Sequence, residues 1–133
     1  MMFIDASSAV AILTDDPEAR ALADKVANAP HRFMSPIAIY ETTVALMRVN
    51  LWSADVASDV VTEFMRDADV MTAMVPESAA REAARAFERF GKGRGHPAQL
   101  NMGDCFAYAV ARHYRVPLLF KGDDFGRTDI EVA

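Results

Sequence analysis

The sequence is poor in the residues that build disulfide frameworks, soft-metal sites and flexible linkers. A single cysteine, Cys105, excludes an internal disulfide and any dependence on an oxidising compartment. The three histidines, His31, His96 and His113, lack the spacing of a metal-ligand motif. Six glycines and six prolines form no low-complexity tract or linker. The one glycine cluster, Gly91-Lys92-Gly93-Arg94-Gly95, lacks the G-x-x-x-x-G-K-[ST] frame of a nucleotide-binding P-loop. No apolar run approaches the roughly 18 residues of a membrane span, and the start lacks a signal peptide's basic segment. Positive charge is also scarce. With 14 Lys+Arg against 19 Asp+Glu the net charge is −5, so overall charge does not attract nucleic acid and only a local basic patch can. These absences lead us to expect a soluble cytoplasmic protein without membrane contact.

What is present is a globular composition, 52% hydrophobic and 25% charged over 133 residues, read as a single domain spanning 1–133. Met2-Phe3-Ile4 and Val116-Pro117-Leu118-Leu119-Phe120 read as buried strands and Arg32-Phe33-Met34 and residues 70–75 as further strand candidates, with a weaker one at 130–132. Between them lie amphipathic helices. Ser7 or Ser8 is expected to cap the first, and Ala19, Leu22, Ala23 and Val26 mark the next. Ser35-Pro36 is a strong start for a third, whose inward stripe reads Ile37, Tyr40, Glu41, Val44 and Met47. Val56, Val60, Val61 and Phe64 mark a fourth. The stripe Ala80, Ala83, Ala84 and Phe87 marks a fifth, and Asp104 is expected to open a sixth that runs to Tyr114. Alternating strands and helices predict an α/β fold, a mostly parallel sheet covered on both faces, with its ligand site beyond the carboxyl ends of the strands.

Carboxylates stand where they are costly. Asp5 ends the first strand, Glu41 interrupts an apolar stripe, Asp104 starts a nearly all-apolar helix, and Asp123-Asp124 follow the last strong strand. Two carboxylates about 4 Å apart repel by roughly 4 kcal/mol at an effective dielectric of 20. Several such pairs would remove most of a domain's stability of about 5–15 kcal/mol. Such a cluster must take up protons, bind a cation, or not meet at all. Oxygen-only donors suit Mg²⁺ or Mn²⁺, ions that activate water and offset charge on phosphate.

These residues resemble the PIN-domain nucleases, specifically the VapC toxins of bacterial toxin–antitoxin pairs. The matching blocks are Met2-Phe3-Ile4-Asp5-Ala6-Ser7-Ser8-Ala9, Ser35-Pro36 through Glu41, Gly91-Lys92-Gly93, His96 through Tyr108, and Leu118 through Phe125, in order along nearly the whole chain. The resemblance implies an α/β/α sandwich and a Mg²⁺- or Mn²⁺-dependent ribonuclease held in check by a VapB-type antitoxin. It also implies a homodimer and a toxin–antitoxin hetero-oligomer. Position by position, Asp5, Glu41 and Asp104 match the family's first three acids. The fourth falls on Asp123 or Asp124, between which the sequence does not choose. On this reading Asp5 and Asp104 are the principal metal ligands, with Glu41 and Asp123 or Asp124 as further ligands or water-orienting bases. Ser7 and Asn101 are candidate orienting residues. Asp104 is expected to stay ionised beside a helix N-terminus.

For an acidic protein to hold RNA, the densest basic stretch is the candidate. Arg81, Arg85 and Arg89 step by four along a helix, and Lys92 and Arg94 follow in the glycine loop. Leu51, Trp52, Val56 and Met65 are candidate contacts for an antitoxin or a second copy. Two metal-dependent rivals fail on the residues. A dehalogenase-like phosphatase needs an aspartate at position 7, which is serine, and a receiver domain needs one at the end of a middle strand. A degenerate PIN fold that only binds protein or RNA remains the alternative reading.

Overall fold

The computed structural model describes residues 1–133. Four short strands, β1 (Met2–Ile4), β2 (Arg32–Met34), β3 (Val70–Thr72) and β4 (Leu118–Leu119), form one parallel sheet in the order β3-β2-β1-β4. Six helices connect them: α1 (Ala6–Leu13), α2 (Ala19–Asn28), α3 (Pro36–Asn50), α4 (Ala54–Asp67), α5 (Ser78–Phe90) and α6 (Met102–Tyr114). The expected strand at 130–132 shrinks to one bridge between Leu118 and Val132. No helix is long and apolar enough to cross a membrane.

The two-residue period of the strands divides the core. Met2, Ile4 and Leu119 pack with Leu22, Val26 and Ala38 on one face, whereas Phe3 and Leu118 pack with residues of α5 and α6 on the other. The chain builds outward from β1 to β2 and β3, then returns to place β4 on the other side of β1. The crevice where the strand order reverses lies between β1 and β4. Asp5 follows the first of these strands and Asp123-Asp124 the second, where α/β sheets hold their ligands.

Several local expectations shift by a few residues. Asp5, not Ser7 or Ser8, caps α1, accepting from the Ser7 backbone N–H at 3.0 Å. Asn101, not Asp104, caps α6. The inward face of α3 is Ala38, Thr42 and Leu46, while Tyr40 is 65% exposed and Glu41 half-buried at the flank. The inward face of α5 is Ala79, Ala83, Ala86 and Phe90, leaving Ala80, Ala84 and Phe87 exposed. In both helices the buried stripe is built mainly from small residues, which let the helix approach its neighbours closely. Thr42 is tolerated there because its hydroxyl donates to the Ala38 carbonyl at 2.8 Å.

Candidate active site

Asp5 is 3% exposed, with Oδ2 accepting from both the backbone N–H and the hydroxyl of Ser7, the latter at 2.5 Å. Burial pushes its carboxyl above the ordinary value, and the Ser7 and Ala6 hydrogen bonds act against that shift. Ser7 therefore serves Asp5 directly, as an orienting donor rather than a helix cap. Ser7 Oγ also accepts from the Lys121 backbone N–H at 3.0 Å, tying the loop after β4 to the end of β1. The Lys121 ammonium turns outward to ion pairs with Asp16 and, at 4.0 Å, Glu18.

Asp104 is the third residue of α6 and half of a capping box. Its backbone N–H donates to Asn101 Oδ1 at 2.8 Å, and the Asn101 N–H donates to Asp104 Oδ2 at 3.1 Å. Replacing Asn101 by alanine removes the cap. It is expected to cost about 1 kcal/mol of stability, measured by urea melts. The expectation that the helix terminus keeps the Asp104 pKa low does not hold. The Asn101 N–H lowers it, but burial, with the charges of Asp5 and Asp124, pushes it up to about 6.

Glu41 comes from α3 and stands within electrostatic reach of Asp5 and Asp104. Burial first, then the charges of Asp5 and Asp104, push its carboxyl up to about 7. Its carboxylate lies against Gly103, the residue before Asp104. Both aspartates after β4 are exposed in the loop, and Asp124 is the one whose charge acts on Asp104. Gly122, which starts that turn, has φ +107°, a conformation that favours glycine.

Four segments far apart in sequence thus bring Asp5, Glu41, Asp104 and Asp124 within electrostatic reach. None of the protein's ion pairs involves any of the four. The expected ligand set of Asp5, Asp104, Glu41 and Asp123 does not form an assembled coordination shell, because no three such side chains converge into a metal cage. Like charges resist that convergence until something offsets them.

The basic stretch is partly committed elsewhere. Arg85 pairs with Glu82 at 2.7 Å, and Arg89 reaches Asp129 at 3.5 Å, where Arg112 and the Tyr108 hydroxyl also bind. Lys92 and Arg94 are exposed in the glycine loop, with Arg94 5.9 Å from the Phe87 ring centre. Among the candidate contact residues, Leu51 is 90% exposed and Trp52 and Val56 are also open to solvent, but Met65 packs against the core. Cys105 is a buried thiol that burial and Asp104 push up to about 11, which suits packing and not nucleophilic attack.

Sequence reasoning missed Gly103 and the Ser7–Lys121 bridge, and it left Asp123 and Asp124 undistinguished. Only Gly103 left a signal, a glycine inside a strongly helical stretch. The rest depends on contacts between distant segments.

Acids gathered at the carboxyl end of a parallel sheet are the arrangement expected of a PIN domain, and the chain belongs to the PIN domain family, whose match spans residues 2–131. Within that class it falls among the VapC ribonucleases. It is 41% identical to Ribonuclease VapC28 of Mycobacterium tuberculosis, over 99% of this chain and 97% of that protein. It is 40% identical to Ribonuclease VapC of Mycolicibacterium smegmatis, over 99% of each. The fold is shared with VapC20 of M. tuberculosis, described as a Sarcin-Ricin loop cleaving toxin, at a TM-score of 0.77 and 17% identity over 100% of this chain and 98% of that one. A toxin-antitoxin complex from Klebsiella pneumoniae superposes at a TM-score of 0.71 and 15% identity, over 100% of this chain and 97% of that one.

Proposed function

We propose that this chain is the toxin of a VapBC-type pair, an endoribonuclease that hydrolyses RNA phosphodiester bonds with a carboxylate-held Mg²⁺ or Mn²⁺. The observation that carries the reading is the group of four acids with no cation of the protein's own to offset them. The VapC relatives, alike over nearly their whole length, support the same reading. The donor set is all oxygen, which fits a hard divalent ion. Asp5 and Asp104 would hold it, with Glu41 and Asp124 beside them. When bound, the ion supplies positive charge against the phosphate oxygens and lowers the pKa of water.

The chain's own groups do the rest. Ser7 fixes the Asp5 carboxylate through two donated hydrogen bonds. The Asn101–Asp104 capping box fixes the second carboxylate. Glu41, beside Asp5 and Asp104, would be the group that accepts a proton from water. Lys92 and Arg94 are the basic groups best placed to meet the RNA backbone, since Arg85 and Arg89 already face carboxylates. A VapB-type antitoxin and a second copy of the chain are the proposed protein partners, with Leu51, Trp52 and Val56 as an exposed apolar contact surface.

The test is incubation of the purified chain with total and transfer RNA, with Mg²⁺, Mn²⁺ or EDTA, and mapping of the cut ends. Cleavage at defined positions that requires the divalent ion is the expected result. Intact RNA under every condition, from a folded protein, would favour the binding-module alternative.

A further inference from the structure

Gly103 is buried at the second position of α6, and the Glu41 carboxylate lies over the place where its side chain would be. A methyl group built there would stand 2.6 Å from Glu41 Oε1 and closer still to Oε2 and Cδ. Heavy atoms do not share that space, so any side chain at 103 displaces the acid. The displacement is easy. The overlapping atoms are the end of a flexible side chain, and the acid is in no ion pair.

We propose that Gly103 is a positioning residue, whose missing side chain leaves open the space in which Glu41 stands beside Asp104. This rests on the ribonuclease reading for its effect on catalysis, but not for its structural content. Glycine is otherwise a poor choice in the first turn of a helix, where alanine is preferred. A site that keeps glycine there gives up helix stability for the position of an acid.

Gly103→Ala is therefore expected to fold with an unchanged or raised Tm, by up to about 5 °C, yet lose about 10-fold or more in kcat. Its effect should run through Glu41. E41Q is expected to raise the Tm and lower kcat in the wild-type chain, and in the G103A chain to change kcat by less than about twofold and leave the Tm within measurement error. Independent, multiplying losses in kcat together with additive shifts in Tm would overturn the proposal, as would wild-type kcat in G103A. If G103A fails to fold, G103A/E41A removes the overlap and is expected to recover the fold. A double variant that stays unfolded places the clash elsewhere and also overturns it. Should the wild-type chain prove unable to cleave RNA, the ribonuclease reading fails, and the Tm cycle alone still decides whether Gly103 and Glu41 are coupled.

Discussion

Asp5→Asn is expected to lower the rate of RNA cleavage by at least about 10²-fold while leaving the protein as stable as wild type or more so. The two halves of that result have separate causes. Asparagine keeps the shape, and its Oδ1 can accept the Ser7 N–H and hydroxyl that Asp5 Oδ2 accepts at 3.0 and 2.5 Å. Asparagine is also as good a helix cap as aspartate, so α1 keeps its start. What is lost is a negative charge in a buried position, costly to the fold and required for holding a divalent ion. Asp104→Asn is expected to behave alike, because its side-chain oxygen can still accept the Asn101 N–H. Single-turnover cleavage of a labelled RNA in saturating Mn²⁺, with thermal melts of the same samples, checks both halves. Cleavage within about threefold of wild type by either variant would remove that aspartate from the mechanism.

The second large effect is on stability against pH. Glu41 titrates near 7 instead of 4.5, and Asp104 near 6 instead of 3.8. A carboxyl whose folded pKa is raised destabilises the fold once it must ionise. That penalty is absent below the unfolded value and complete above the folded one. Stability should therefore fall as pH rises from about 4.5 to about 7. At 1.36 kcal/mol per pKa unit, Glu41 alone accounts for up to about 3 kcal/mol, less whatever solvent screens at a half-buried position.

Asp16 and Asp129 act oppositely. Their carboxyls are lowered, by hydrogen bonds from Lys121 and Tyr108 respectively, so the stability they contribute is lost as pH falls below about 4. The Tm in EDTA is expected to peak near pH 4 and to drop by pH 7.5. Millimolar Mg²⁺ or Mn²⁺ at pH 7.5 should restore it by binding the folded state alone. E41Q should flatten the decline. Scanning calorimetry over that pH range makes the measurement, and a Tm that climbs steadily from pH 5 to pH 7.5 would contradict the arrangement of acids described above.

Where sequence and structure part company, the cause lies in small residues and in charge. The stripes read as inward on α3 and α5 followed the larger side chains, Tyr40 and Phe87 among them. The structure buries Ala38 and Thr42, and Ala79, Ala83 and Ala86 instead. Hydrophobicity rewards size, whereas close helix packing rewards its absence, so a pattern built from alanines is phased poorly by periodicity alone. The same one-position shift leaves Glu41 at the flank of its helix, half-buried and facing Asp104 rather than in the core. Asp104 looked like a helix start because Asn101 lies only three residues earlier, and in a capping box both residues hold the terminus. Its titration went against the helix-terminus argument because burial and two neighbouring charges outweigh one hydrogen bond.

By itself the order of residues marked the two central strands, because the apolar runs Met2–Ile4 and Leu118–Leu119 are buried along their whole length in the sheet. It also determined that acids follow those runs, and hence the carboxyl edge on which they gather. Only the tertiary structure decided that Asp124 rather than Asp123 acts on Asp104, that Ser7 bridges Asp5 to the Lys121 backbone, and that Glu41 occupies the space left by Gly103. The difference is physical. Burial of an apolar run is a local property of composition, while the energy between charges depends on distances set by segments a hundred residues apart.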